Sequence, residues 1–492
     1  MATTQTRQGT VAGVHANGVY AFKGIPYAAS PFGSRRLRAP EPPPSWDGVR
    51  DCSEFGPTVP KNPYPAPFDT LLPEPAIAGQ DCLNLNVWTP DLGQAGLPVL
   101  VWIHGGAFVN GSGAVPQYDG TAFARDGVVC VTINYRLGAD GFLFLGDGLA
   151  NTGVLDQVAA LQWVQYNIAN FGGDAGRVTI AGESAGAMSV TTLLSMPRTA
   201  GLFRRVIAQS GAGQHVLTAG TAARVGGYLA EELGVPATRE AIAEVPLPRL
   251  LEAQGALSRA AQAVPPDPIR WGEVATNLMV FEPVVDGDVL PAVPLDGLRA
   301  GRGRDVDVLI GTNSDEERLF LAPTGALDFI DSTVLEMTVA AYGLAETALP
   351  TYRANRPTAS AGDIFAAVLG DWFFRVPALR VAEVRKESPT WVYEFSWPTP
   401  LLGGSLGACH ALEIPFVFDT LRSPGAEWLA GAEPPQALAD SMHSAWVSFA
   451  TSGNPGWAPY TTQDRTTMVF DHESAAVQDP HGDERQLWDG LR

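Results

Sequence analysis

Gly182-Glu183-Ser184-Ala185-Gly186 sets a serine between two glycines at a spacing suited to nucleophilic chemistry. The run Val178-Thr179-Ile180-Ala181 before it reads as a strand, and Ala187 to Leu194 after it is compatible with a helix. In that context the serine sits on a tight, strained strand-to-helix turn with its hydroxyl raised above a sheet. Side chains at 182 and 186 would collide with neighbouring backbone, which accounts for the glycines. The helix N-terminus adds positive partial charge at the hydroxyl. The competing reading is a glycine-rich turn with an ordinary N-cap serine, and the strand before and helix after favour the nucleophile over it. Upstream, His104-Gly105-Gly106-Ala107-Phe108 follows the apolar run Val99–Ile103. Backbone N–H groups of Gly106 and Ala107, with that of Ala185, can face a developing oxyanion, and each such donor typically contributes on the order of 10²–10³ in rate.

These residues need a frame. Short β-branched runs at Val99–Ile103, Val128–Ile133, Val178–Ala181, Val206–Gln209, Val306–Ile310, Trp391–Phe395 and Thr467–Phe470 read as strands. They lack alternation, as strands buried on both faces of a parallel sheet do. Between them lie helical patterns. From Val154 to Asn170 one face carries Val154, Leu155, Val158, Leu161, Val164 and Ile168. The stretch from Gln436 to Ala450 also reads as a helix. Strands alternating with helices predict an open α/β sheet with helices on both faces. Residues 31–75 are Pro-rich and read as an ordered surface loop. Residues 215–280 and 320–385 are helical in pattern and read as insertions roofing the sheet. No repeat or linker interrupts the chain, so residues 1–492 are expected to form one domain.

Bulk properties narrow the partners. The chain has 32 basic and 52 acidic residues, a net charge of −20 that disfavours nucleic acid. No stretch approaches the ~18 apolar residues of a membrane span, and the N-terminal residues lack the apolar core of a secretory signal. A cytoplasmic protein is expected, as a monomer or a small homo-oligomer. Four cysteines do not make a disulfide scaffold. Cys130 reads as a small buried hydrophobe, and pairing of Cys52 with Cys82 stays open.

Taken together, the motifs resemble the type B carboxylesterases of the carboxylesterase and cholinesterase family, over nearly the whole chain. The resemblance runs through Gly24-Ile25-Pro26-Tyr27-Ala28, Asp81-Cys82-Leu83-Asn84-Leu85-Asn86-Val87 and the His104 to Phe108 segment. It continues through Asn134-Tyr135-Arg136-Leu137-Gly138, Phe171-Gly172-Gly173-Asp174 and the Ser184 pentapeptide, which is the family's nucleophile motif. Pro283-Val284-Val285-Asp286-Gly287 and Phe449-Ala450-Thr451-Ser452-Gly453-Asn454-Pro455 complete it. It implies an α/β-hydrolase fold, with helical insertions over an active-site gorge, and hydrolysis of small-molecule esters without metal or organic cofactor. The residues alone leave Asp315, Glu316 and Glu317 open as the acid. The family's G-x-N-x-x-E segment, here Gly311 to Glu316, singles out Glu316, although Glu317 stands where the family usually has Gly. Among seven histidines the family's pattern selects His410, with Ala411 replacing the usual Gly. His443, on an amphipathic helix, reads as structural. The order Ser184, Glu316, His410 is the one this fold uses.

Substrate expectations follow from departures. After Phe55-Gly56-Pro57 the chain continues Thr58-Val59-Pro60, without the cysteine that pairs with the Cys82 counterpart in animal relatives. No tryptophan lies between Trp46 and Trp88, where cholinesterases hold choline on one. Small to medium neutral esters are therefore expected, with Phe108, Trp372, Phe373 and Phe374 as candidate walls of the substrate pocket. Amidase, thioesterase or carbamate hydrolysis would use the same machinery. A non-catalytic binding protein is the alternative of another class, and the intact Ser184, Glu316 and His410 argue against it.

Overall fold

Val99, Val101 and Ile103 point into one hydrophobic core, while Leu100 and Trp102 point into a second on the opposite face. A strand that is apolar at every position belongs in a sheet covered on both sides. The computed structural model describes residues 2–93, 96–263 and 266–492. Its strands, in chain order, are β1 (Ala2–Gln5), β2 (Thr10–Ala16), β3 (Val19–Pro26), β4 (Val49–Asp51) and β5 (Asn84–Thr89). Then come β6 (Leu97–Ile103), β7 (Val129–Ile133), β8 (Gly173–Glu183), β9 (Arg205–Gln209), β10 (Leu217–Thr218) and β11 (Val284–Val285). The last are β12 (Asp307–Asn313), β13 (Thr390–Phe395), β14 (Thr466–Phe470) and β15 (Ala475–Gln478).

The main sheet runs β1-β2-β3-β5-β7-β6-β8-β9-β12-β13-β14-β15. From β7 to β14 every neighbouring pair is parallel. Antiparallel ribbons close both edges, β1-β2-β3-β5 against β7 on one side and β15 against β14 on the other. All seven apolar runs fall on strands of the parallel region. The helix Ala185–Ser195 packs on β8 and β9 on one face, and Gln436–Ser452 contacts β6 and β8.

Residues 215–280 fold into short and medium helices, among them Ala219–Leu233 and Leu247–Ala261, with 264–265 outside the described residues. Residues 320–385 are also helical, from Ser332–Ala341 to Val376–Val384. The 31–75 segment is largely irregular, with two 3₁₀ turns and the short β4. Cys52 and Cys82 are separate buried thiols, as are Cys130 and Cys409. Among the described residues no helix is long and apolar enough to cross a membrane.

Candidate functional site

Ser184 follows the C-terminal end of β8 with φ 55° and ψ −124°, a strained conformation for a residue with a side chain. The turn holds because nothing larger than hydrogen fits beside it. A Cβ on Gly186 would lie 1.9 Å from Ile103 O, and one on Gly182 2.5 Å from the Gly186 carbonyl carbon. Ser184 N–H donates to Gln209 O at 2.9 Å, and Met188 N–H donates to Ser184 O to begin the helix. Strain of this kind persists only where surrounding packing imposes it, and it is concentrated at functional sites.

The His104–Phe108 loop leaves the C-terminal end of β6 beside this turn. A Cβ on Gly105 would meet Glu183 Oε2 at 2.7 Å and Ser184 Cβ at 3.0 Å. Gly106, Ala107 and Phe108 all have positive φ, at 107°, 51° and 60°. Gly106 O accepts from Val109 and Asn110. The N–H groups of Gly106, Ala107 and Ala185 have no acceptor among the described residues. His104 is fully buried against Tyr135, its Nδ1 2.8 Å from Gly105 O. Burial drives its pKa down to about 3, so it stays neutral and braces the loop.

His410, from the loop after β13, meets Glu316, from the loop after β12. Its Nδ1 lies 2.6 Å from Glu316 Oε2, while Glu316 Oε1 accepts Asn313 N–H at 2.8 Å. An ionised carboxylate only accepts, so Nδ1 carries the proton. Neither neighbouring acid hydrogen-bonds the ring. Asp315 binds Arg318 and the Ala408 N–H, and Glu317 has no hydrogen bond to the imidazole. Phe374 and Phe320 flank the ring at 4.8 and 5.4 Å between centroids.

The other ring nitrogen, Nε2, lies 3.0 Å from Glu183 Oε1, off hydrogen-bond alignment. No hydrogen bond to Ser184 Oγ forms among the described residues. Burial alone would lower the His410 pKa, but the Glu183 and Glu316 carboxylates outweigh it and hold the pKa above its ordinary value. Burial raises Glu183 in turn. Behind the pair sits a network that the sequence reading did not assign a role. Glu413 accepts from Asn313 Nδ2 at 2.7 Å and Gln209 Nε2 at 2.9 Å, and Gln209 is tied to Trp446. The only signal for it was its position three residues after His410.

Ser184, Glu183 and His410 share the wall of a cavity of about 170 Å³ with Gly105, Gly106 and Ala107. Its aromatic walls are Tyr64, Tyr118 and Phe320. The four aromatics expected there lie elsewhere. Phe108 is fully buried edge-on to Phe142, and Trp372 stacks on Tyr342 under Arg492. Phe373 stacks on His215, and Phe374 is buried behind His410. Backbone chemistry directs them. Pro377 has no N–H for the Phe373 carbonyl, the helix widens to a π-turn over Asp371–Arg375, and His215 Nε2 takes that carbonyl at 2.8 Å. His443 is structural, held by Val417 O and Asp126. Among the described residues no cluster of three or more His, Cys, Asp or Glu is disposed to hold a metal ion.

Comparison with known proteins fits this geometry. A sequence model of the carboxylesterase family matches residues 1–488. Para-nitrobenzyl esterase of Bacillus subtilis (strain 168) is 37% identical, covering 98% of this chain and 97% of its own. Phenmedipham hydrolase of Pseudarthrobacter oxydans is 35% identical over 96% of this chain and 95% of its own. Carboxylesterase EST55 of Geobacillus stearothermophilus superposes with a TM-score of 0.86 at 37% identity, covering 99% of both chains. The fold is therefore the α/β-hydrolase fold that the motifs implied. With family sequence and family structure agreeing along its length, the chain belongs to the carboxylesterase family and is a carboxylic ester hydrolase.

Proposed function

We propose that this hydrolase cleaves small to medium neutral esters through Ser184, His410 and Glu316 and a covalent acyl-enzyme. The observation that carries the reading is the 2.6 Å contact between His410 Nδ1 and Glu316, with the same ring sharing a cavity wall with Ser184. Ser184 Oγ attacks the ester carbonyl while His410 Nε2 takes its proton. In unliganded enzymes this hydrogen bond is often loose and tightens only with substrate bound, so Nε2 moves from the Glu183 side toward Oγ. N–H groups of Gly106, Ala107 and Ala185 receive the oxyanion. His410 then protonates the leaving alcohol, deprotonates a water that attacks the acyl-enzyme, and returns its proton to Ser184 as the acid departs. Glu316 fixes the tautomer and stabilises the imidazolium. No step calls for a metal or organic cofactor.

The modest cavity, with Leu71, Leu72 and Phe320 on its walls and no tryptophan among them, suits neutral groups of limited size. The whole chain acts as one domain, its helical insertions at 215–280 and 320–385 built around the main sheet. Four buried thiols suit a reducing, cytoplasmic setting.

The test is a set of three isosteric variants assayed on p-nitrophenyl acetate. Glu316→Gln should lose turnover by up to about 10⁴-fold, as removal of an equivalent carboxylate does. Glu317→Gln and Asp315→Asn should stay near wild type. A crippled Glu317→Gln beside an active Glu316→Gln would refute the assignment.

A further inference from the structure

The Pro-rich segment carries a buried ion pair outside the proposed mechanism. Lys61 Nζ lies 3.3 Å from Glu74 Oε1, with the side chains 4% and 12% exposed. Burial opposes both charges, lowering the lysine's pKa and raising the glutamate's. Such a pair holds only if further hydrogen bonds satisfy its remaining atoms. The carboxylate's further bonds converge on one turn. Glu74 Oε1 accepts Gly111 N–H at 3.0 Å, and Oε2 accepts from Asn110 Nδ2 at 2.9 Å. Asn110 Nδ2 also donates to Asn62 O at 2.8 Å, and Lys61 Nζ donates to Pro75 O at 3.3 Å.

The Asn110-Gly111 turn lies directly against the glycine loop. A Cβ on Gly106 would meet Asn110 O at 2.4 Å, and a Cβ on Gly111 would meet Gly105 O at 2.3 Å and His104 Nδ1 at 2.4 Å. Gly106 O accepts Asn110 N–H at 2.8 Å. The Asn110-Gly111 turn thus lies close-packed between Glu74 and the loop that carries the Gly106 and Ala107 N–H groups, and such packing transmits displacement rather than absorbing it.

We infer that Glu74 is a positioning residue for the oxyanion loop, and that Lys61 holds its carboxylate in place for that task. The inference rests on the reading of Gly106 and Ala107 as oxyanion donors. A purely structural pair would affect stability alone. The double variant Lys61→Met/Glu74→Met replaces the pair with apolar side chains of similar length, a change buried pairs often tolerate. Glu74→Gln keeps the shape and one acceptor for Gly111.

Folding is checked by circular dichroism and thermal melting, and hydrolysis of p-nitrophenyl acetate is followed alongside inhibition by a trifluoromethyl ketone, which forms a tetrahedral adduct. The double variant should lose roughly tenfold in kcat, part of the ~10²–10³ that deletion of a whole donor brings. KM should stay within about twofold, and ketone affinity should weaken with kcat/KM, as for an interaction made only in the transition state. Glu74→Gln should show a smaller loss in the same direction. Folded variants with unchanged kcat and ketone affinity would overturn the inference; if the double variant does not fold, Glu74→Gln decides by the same criterion. A wild-type enzyme that binds the ketone no more tightly than substrate would instead overturn the underlying oxyanion reading.

Discussion

His410 stands between two carboxylates with different consequences. Glu316 holds Nδ1 at 2.6 Å, whereas Glu183 faces Nε2, the nitrogen that the proposed mechanism turns toward Ser184. Both stabilise the imidazolium against burial's opposing pull, so the pKa is raised. As the proposed base, His410 must be neutral, and a raised pKa keeps it protonated to higher pH. The acidic limb of kcat/KM should therefore lie above the ordinary histidine value of about 6.5, with activity falling as pH drops through it. Glu183→Gln removes one of the two carboxylates and should move that limb downward. A wild-type limb at or below 6.5, or one unmoved in Glu183→Gln, would contradict this. Beside the nucleophile in sequence, Glu183 reads equally as an acid that tunes the field at the histidine or as a solvated or structural one, and its 3.0 Å approach to His410 depends on how distant loops meet above the sheet. Glu413 escaped assignment for the same reason. Its partners Gln209 and Asn313 come from strands remote in sequence.

At the scale of the element, the turn at Ser184 works because Gly186 lets the new helix approach β6. Gly186→Ala would place a Cβ 1.9 Å from Ile103 O. Overpacking of this kind should destabilise by about 1–3 kcal/mol or more, read from a urea midpoint, and should depress turnover as the turn reshapes. Wild-type stability together with wild-type activity would count against the elbow account. The strands that carry the site were legible because burial on both faces makes them continuously apolar. The edge ribbons were not. β2 runs through Gly13, a residue depleted in strands, and ends in the exposed residues 14–16. β5 buries Asn84 and Asn86, whose amides satisfy the Pro57, Asp81 and Gly113 carbonyls, a use that residue type alone does not reveal. The aromatics at 372–374 were misplaced because one missing N–H, at Pro377, reshapes the helix that orients them.

For the whole molecule, the Pro-rich strap, the Gly105–Ala107 loop and the 425–429 segment enclose a cavity of about 170 Å³ over Ser184. Discrimination by such a pocket is graded, about 1–3 kcal/mol per methylene. Across p-nitrophenyl esters from acetate to palmitate, kcat/KM should favour acyl chains up to roughly six or eight carbons, and butyrylcholine should be poor. Fastest turnover of palmitate or of butyrylcholine would overturn that preference without touching the nucleophile. The nucleophile itself is tested on the intact chain. Treated with an organophosphate, the folded protein should gain the mass of a single adduct as activity is lost, and peptide mapping should place that adduct on Ser184. Full inactivation with the adduct on another serine, or activity that survives complete labelling of Ser184, would contradict the account at its centre.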